Sequence, residues 1–297
     1  MIRRIMNYQD FLSTIITTLK EHFDDTVSLE LQTVTKNNGT LLDALIIMKP
    51  DVNISPTIFL NPYYHRYLSG VSMEDICDDI LKTYEAHRPS ESIDITFFTD
   101  FDQVKERIIF KLVSYEKNKE LLEKVPYFRF LDFAIIFNCL LNADSEDYAT
   151  ILIYNSHLNY WGVTANTLFS YAKQNTPLLL PYQLNNMADL LKDMLPDDAD
   201  SEALQPMYIL SNSGKVNGAT CILYDGLLSQ IAERLKSDFI LLPSSIHEVI
   251  LVPVDQCDEL CTFSSMVAEV NETQLTDEEI LSDHAYYYER SKGVLAM

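Results

Sequence analysis

The pattern of hydrophobic and polar positions predicts a helix followed by a β-hairpin at the start of the chain. After Asn7, apolar side chains recur every three or four residues: Phe11, Leu12, Ile15, Ile16, Leu19 and Phe23. This spacing puts them on one face of a helix, and Asn7 is of a type that caps helix N-termini. The following "TVSLELQTVTKNNGTLLDALIIM" alternates apolar and polar positions around Asn38-Gly39, a pair suited to the positive φ angles of a tight turn.

Further along, helical and strand patterns follow one another without regular alternation. Ser72 opens a second helical stripe that ends at Arg88-Pro89. "RIIFKLVSY" is predicted as a strand, "FRFLDFAIIFNCLL" as one long buried strand, and "DFILLP" with "HEVILV" as a hairpin. Antiparallel hairpins with helices between them indicate an α+β fold and argue against a doubly wound sheet. We expect α+β subdomains over residues 1–100 and 101–297, or one continuous domain.

The charge balance limits the classes of molecule that the protein is expected to bind. The chain has 297 residues, with 22 Lys and Arg against 44 Asp and Glu, a formal net charge of -22. Such a surface repels phosphate backbones and anionic lipids, which disfavours direct nucleic-acid and membrane-surface binding. The acidic excess continues between Lys236 and Arg290, where no Lys or Arg occurs. The acidic surface is either merely solvated, or it receives a basic protein partner, or it imitates a nucleic acid.

Cysteine usage and hydropathy indicate a soluble cytoplasmic protein. The five cysteines are odd in number and form no CxxC pair, which fits reduced thiols better than a disulfide framework. The residues after Arg3 and Arg4 are too polar for a secretory signal. The nearest candidate for a membrane span, Phe133 to Leu141, is about half as long as a membrane-spanning helix requires and is broken by Asn138.

The stretch "LPSSIHEVILVP" carries the only candidate catalytic residues, Ser244, Ser245 and His247. A hydrolase would use a serine hydroxyl with the imidazole as its base. The stretch lacks the GxSxG elbow, and HExxH would need a histidine where Leu251 stands. Pro243 and the two serines are equally the residues of a turn between two strands. A catalytic site and a structural turn both remain open.

The sequence predicts no metal and no cofactor. The other histidines are scattered singly and lack a set of metal-ligating neighbours: His22, His65, His87, His157 and His284. The chain has neither a Walker A loop nor a GxGxxG motif, and its seven glycines leave little room for phosphate-binding loops.

Three aromatic groups are the candidate partner-binding residues. "NPYYHRYLSG" contributes Tyr63, Tyr64, Arg66 and Tyr67, "YNSHLNYWGV" contributes Tyr160 and Trp161, and "YYY" contributes Tyr287. Tyr, Trp and Arg anchor many protein interfaces. The same residues are also common at the half-buried edge of a core, so both interpretations stand.

The chain combines the phrases "VTKNNG", "NISPTIFLN", "FKLVSYEKNKELL", "FLDFAIIF", "ATILIYNSHLNYWGV", "LLPSSIHEVILVP" and "LSDHAYYY". As a set, they resemble an uncharacterised bacterial family of unknown function, found chiefly in anaerobic gut Firmicutes. The resemblance covers nearly the whole chain, which implies one shared architecture. It implies no activity, cofactor or catalytic residue.

The sequence therefore favours a non-enzymatic cytoplasmic binding or regulatory protein that acts through a protein partner, with a basic partner suited to its charge. The first alternative is a hydrolase that uses Ser245 and His247. The second is an acidic mimic of nucleic acid, for which regularly spaced carboxylates would be needed.

Overall fold

A computed structural model describes residues 5–50, 52–88, 96–142, 149–191, 206–254 and 260–297. The contacts divide the chain into two compact units, one of residues 1–36 and 40–96 and the other of residues 37–39 and 97–297. Whether residues 1–100 and 101–297 fold as separate subdomains stays a prediction.

In its described residues, the first unit packs three helices and a three-stranded antiparallel sheet. In chain order its elements are α1 (Tyr8–Lys20), β1 (Ser28–Thr35), β2 (Leu41–Met48), β3 (Ile58–Phe59), α2 (Asn61–Leu68) and α3 (Met73–His87). The sheet has the order β1-β2-β3. Asn7 caps α1 by accepting a hydrogen bond from the Asp10 amide at 2.9 Å, as its sequence position predicted.

The core of the first unit is built from the predicted apolar stripes. Phe11, Ile15 and Leu19 of α1 are fully buried, and they pack in one cluster with Leu45 and Ile47 of β2. The same cluster includes the buried face of α3. The predicted first helix and hairpin are confirmed, because α1 buries the face that its spacing indicated and β1 pairs with β2. The alternating face of β1 is less buried than its spacing indicated, since Leu31 is 41% exposed.

The second unit contains the longer part of the chain. Its helices are α4 (Phe101–Val104), α5 (Lys119–Leu122), α6 (Asn155–Trp161), α7 (Ala165–Leu179), α8 (Met187–Leu191), α9 (Leu227–Leu235) and α10 (Leu260–Gln274). Its strands are β4 (Ile108–Ser114), β5 (Tyr127–Phe130), β6 (Phe133–Asn142), β7 (Ala149–Leu152), β8 (Tyr182–Asn186), β9 (Tyr208–Asn212), β10 (Asp238–Pro243), β11 (Val249–Val254), β12 (Tyr286–Glu289) and β13 (Val294–Ala296).

Two antiparallel sheets organise the second unit. One has six strands in the order β13-β12-β10-β11-β9-β8, and in the other β6 pairs with β4, β5 and β7. Phe133, Phe137, Phe239 and Tyr286 are fully buried in a common cluster between elements of both sheets. The α+β fold with antiparallel sheets is confirmed.

The prediction of one long strand over "FRFLDFAIIFNCLL" is wrong. The segment forms two strands, β5 and β6, which pair with each other through Phe130 and Phe133. Leu131 makes the turn with a φ of 54°, and the Tyr115 amide donates to the Asp132 carbonyl at 3.0 Å. Residues in the left-handed conformation are usually glycine or asparagine, and here the residue is a leucine. The sequence therefore contains no turn signal at this position, and the reversal of the chain was not predicted.

The four described cysteines are all free thiols in different environments. Cys77, Cys139 and Cys221 are buried, whereas Cys261 of α10 is exposed. Burial raises the pKa of Cys139 to about 11 and that of Cys221 to about 12. No helix within the described ranges is both long and apolar enough to cross a membrane.

Candidate functional site

The serine-histidine stretch forms the connection between β10 and β11. The two strands pair up to Pro243 opposite Val249, so His247 lies in the connection rather than at the start of a strand as predicted. The Ser245 amide donates to the Glu248 carbonyl at 3.2 Å and closes the turn.

Side chains in this turn bind backbone groups. Ser245 is 8% exposed, and its Oγ accepts a hydrogen bond from the His247 amide at 3.0 Å. The Nδ1 atom of His247 lies 3.2 Å from the Asn217 amide, which donates to it. With Nδ1 as the acceptor, a neutral imidazole carries its proton on Nε2. Neither ring nitrogen is then arranged to take a proton from Ser245.

A close backbone approach fixes this turn against β9. Ser211 Oγ donates to the His247 carbonyl at 2.8 Å. A β-carbon on Gly218 would lie 2.2 Å from Ser211 Oγ and 2.5 Å from the His247 carbonyl oxygen. Only glycine fits at position 218, and the turn therefore has the packing of a structural junction.

Glu279 contacts this turn through its carbonyl, which accepts a hydrogen bond from the Ile246 amide at 2.8 Å, but its carboxylate is engaged elsewhere. Its carboxylate accepts hydrogen bonds from the hydroxyl and amide of Thr276, at 2.7 and 3.2 Å. These bonds lower the pKa of Glu279. Among the hydrogen bonds of the described residues, this turn shows no hydroxyl-imidazole pair. Hydrolysis through Ser244 or Ser245 with His247 stays an untested hypothesis.

The first aromatic group lies on α2 and packs inward. Tyr67 is 4% exposed, and its hydroxyl accepts a hydrogen bond from the Met6 amide at 3.2 Å. The Tyr64 hydroxyl donates to the Met6 carbonyl at 3.1 Å, and its ring lies 5.1 Å from that of Phe11. Both tyrosines therefore hold the segment that leads into α1.

The other two residues of this group contact α3. The hydroxyls of Tyr63 and Thr83 share a hydrogen bond of 3.2 Å. Arg66 donates to Asp79 at 2.6 Å in an exposed ion pair. Each of these residues therefore already has a partner within the chain. Their binding to another molecule stays a prediction.

The second and third groups divide between anchored and exposed residues. Trp161 donates from Nε1 to the Phe98 carbonyl at 2.9 Å, and Tyr287 hydrogen-bonds the carboxylate of Asp238. Tyr160 is 69% exposed on α6. Of the predicted aromatic residues, Tyr160 is the one most available to another molecule.

An exposed apolar strip on α10 was not predicted. Val267 and Asn271 are buried on the inner side of the helix, whereas Met266 is 50% exposed and Val270 is 41% exposed. Met266 and Val270 are four residues apart, so they are neighbours on the helix surface. The four-residue spacing of Met266 and Val270 was visible in the sequence. Their exposure could be assigned only once the structure showed which side of α10 is buried.

The surface beside this strip is acidic. Glu269 and Glu272 are exposed on the same helix, and α10 contains no Lys or Arg. Among the described residues, neither carboxylate forms an ion pair. We call Met266, Val270, Glu269 and Glu272 the α10 face. An apolar centre with charged neighbours is the usual composition of a protein-binding surface.

The described residues contain no group of three or more His, Cys, Asp and Glu side chains placed to hold a metal ion. By fold the chain is an α+β protein of antiparallel sheets whose serine-histidine turn is packed as a junction. It belongs to the family of unknown function DUF5688, whose model matches residues 8–290. The resemblance to an uncharacterised family is thereby confirmed. The chain matches no curated protein and no solved structure.

Proposed function

We propose that the chain is a non-enzymatic binding or regulatory protein whose α10 face receives a basic protein partner. One observation carries the proposal: Met266 and Val270 are exposed side by side on a helix that has acidic residues and no cation. Exposed apolar side chains in a polar frame favour association, because binding removes them from water.

The negative charge of the chain indicates which class of partner it attracts. The chain carries a net charge of -22, and the stretch from Lys236 to Arg290 contributes acids without an intervening Lys or Arg. A one-signed surface attracts molecules of opposite charge and accelerates their encounter. A basic surface with an apolar centre matches Glu269 and Glu272 around Met266 and Val270. Tyr160, 69% exposed on α6, is a second candidate contact.

The proposal includes a cytoplasmic location in an anaerobic gut Firmicute. The four described cysteines are free, which fits a reducing compartment. The host follows from the resemblance noted in the sequence. The partner is therefore to be sought in a lysate of such a bacterium.

Affinity capture with matched charge reversals tests the proposal. The wild-type chain, Glu269→Lys/Glu272→Lys and the control Glu21→Lys/Glu30→Lys are immobilised and exposed to host lysate. The control reverses two exposed glutamates of the first unit. A captured protein is identified, purified and titrated against all three chains. We expect binding about tenfold weaker for the α10 variant, within about twofold of wild type for the control, and weaker in higher salt.

Other outcomes would contradict the proposal. If no protein is captured reproducibly in low salt, the binding function is wrong. If both variants bind equally well, the partner does not use α10. Capture of nucleic-acid-binding proteins that DNA displaces would favour the acidic mimic.

A further inference from the structure

The first unit contains a cleft of about 370 Å³, formed by the loop after α1, the end of β2 with the residues that follow it, and the end of α3. Its apolar walls are Val27, Ile47, Pro50, Val52, Ile54 and Pro56. Ile47 is almost fully buried and forms part of the floor. This volume lies within the range of small-molecule sites, which are concave.

Two cations line the cleft. The Nζ atom of Lys49 lies 5.7 Å from the ring centroid of Tyr84, whose side chain is also in the lining. Among the described residues, Lys49 forms no ion pair with a carboxylate. Arg88 contacts Glu85 through Nε at 2.6 Å. A guanidinium has further donors on its two terminal nitrogens, so Arg88 can bind a second anion.

Among the described residues of the lining, Asp24 is the one carboxylate, and it is bound locally. It accepts from the Thr26 amide at 2.9 Å and also from the Thr26 hydroxyl. These bonds lower the pKa of Asp24, and the charge of Lys49 contributes less. Asp24 therefore remains ionised near neutral pH, and the described lining residues carry two positive charges against one negative charge.

We propose that this cleft binds a small molecule with one carboxylate and an apolar body. The carboxylate would pair with Lys49 and Arg88, and the apolar body would lie against the aliphatic and proline side chains. A single negative charge balances the excess of one cation in the lining. A phosphate dianion would add a second negative charge close to Asp24, and an inorganic anion would leave the apolar walls unused.

Phenylacetate and phenylacetamide form a matched ligand pair for the test. The two molecules share the ring and differ in the charged group. Titration is followed by NMR of the full-length chain, with Lys49→Met, Arg88→Gln and the control Lys82→Met measured alongside. Lys82 is an exposed cation on α3 that pairs with Asp79 and does not line the cleft.

We expect phenylacetate to give saturable shifts at lining residues and phenylacetamide to bind at least about tenfold more weakly. Lys49→Met and Arg88→Gln should each weaken phenylacetate binding by about fivefold or more, while Lys82→Met changes it by less than about twofold. Ile54→Trp should abolish binding, because the indole fills the apolar part of the cleft and leaves both cations in place.

Four results would overturn the proposal: no saturation by phenylacetate at about 10 mM, equal binding of the amide, full competition by inorganic phosphate, or unchanged binding in Ile54→Trp. The comparison of the two ligands uses only the wild-type chain, so it decides the need for a carboxylate even if a substitution unfolds the protein.

Discussion

Two short helices, α2 in the first unit and α6 in the second, have similar aromatic sequences and opposite surroundings. "NPYYHRYL" and "NSHLNYW" each combine a histidine with several aromatic residues. On α2, Tyr64 and Tyr67 bind the Met6 backbone and pack beside Phe11. On α6, Trp161 is anchored to Phe98 while Tyr160 is left 69% exposed.

Helical spacing explains this difference. Tyr64 and Tyr67 are three positions apart and share a face, so both turn toward the core together. Tyr160 and Trp161 are consecutive and diverge around the helix axis, so burial of the tryptophan leaves the tyrosine outside. The number of aromatic residues in a motif is therefore a poorer guide to a binding surface than their spacing.

Charge separates the two units as well. The first unit has 8 Lys and Arg against 14 Asp and Glu, and the second has 14 against 30. Most of the acidic excess thus belongs to the second unit, which also contains the α10 face. The cationic cleft belongs to the less acidic unit, where an anion meets a smaller opposing charge.

The largest expected effect is the loss of unfolding free energy when the buried tyrosine of α2 is replaced. Tyr67→Ala removes a buried ring and should lower the free energy of unfolding by about 3–5 kcal/mol, whereas Tyr160→Ala should change it by less than about 0.5 kcal/mol. Urea denaturation of both variants measures the difference. Equal losses of unfolding free energy would contradict the difference between α2 and α6.

An intermediate effect is expected at the serine-histidine turn of the second unit. Ser245→Ala leaves the His247 amide without its acceptor and should cost about 1–2 kcal/mol of unfolding free energy, while Ser244→Ala should stay within about 0.5 kcal/mol. Urea denaturation measures both changes. Hydrolysis of p-nitrophenyl acetate above background, lost in Ser245→Ala, would instead support the hydrolase hypothesis.

The smallest effect concerns the pH dependence of stability. Hydrogen bonds from Thr276 hold the pKa of Glu279 below its ordinary 4.5 in the folded state. Glu279 therefore stabilises the fold above about pH 5, and this contribution is lost as the pH falls through the lower, folded-state value. Glu279→Gln should cost less than about 1 kcal/mol at pH 7, because solvent screens the carboxylate, and the cost should shrink as the pH falls through the folded-state pKa.

Thermal unfolding from pH 7 down to about pH 3 tests this sign. Glu272→Gln on α10 is the control, since its carboxylate is exposed. A difference between Glu279→Gln and wild type that grows as the pH falls would contradict the assignment.

Local interactions account for the parts of the fold that were predicted correctly. Asn7 and Ser72 cap α1 and α3 through amides three residues ahead, and Asn38-Gly39 adopts the expected positive φ angles. Each of these features is decided within a few residues. Leu131 was missed because the pairing of β5 with β6 imposes its left-handed conformation. Leucine as a residue type disfavours that conformation.

The sites were less predictable because they depend on distant residues. Asp24, Lys49 and Arg88 are separated along the chain, and they reach one cleft only because α1, β2 and α3 pack in a common core. The role of His247 depends on Asn217 and Gly218, which belong to another segment. The residue types in "SSIHE" allowed a catalytic role, whereas the neighbours that decide it are not adjacent in sequence.

The exposure of Cys261 has a practical consequence. Its thiol lies on α10, while Cys77, Cys139 and Cys221 are shielded from reagents in solution. Cys257 lies outside the described residues, and replacing it with serine would leave Cys261 as the preferred target of a maleimide dye. A fluorophore attached there would sit on the helix that carries Met266 and Val270, so a change in its emission would report docking in real time.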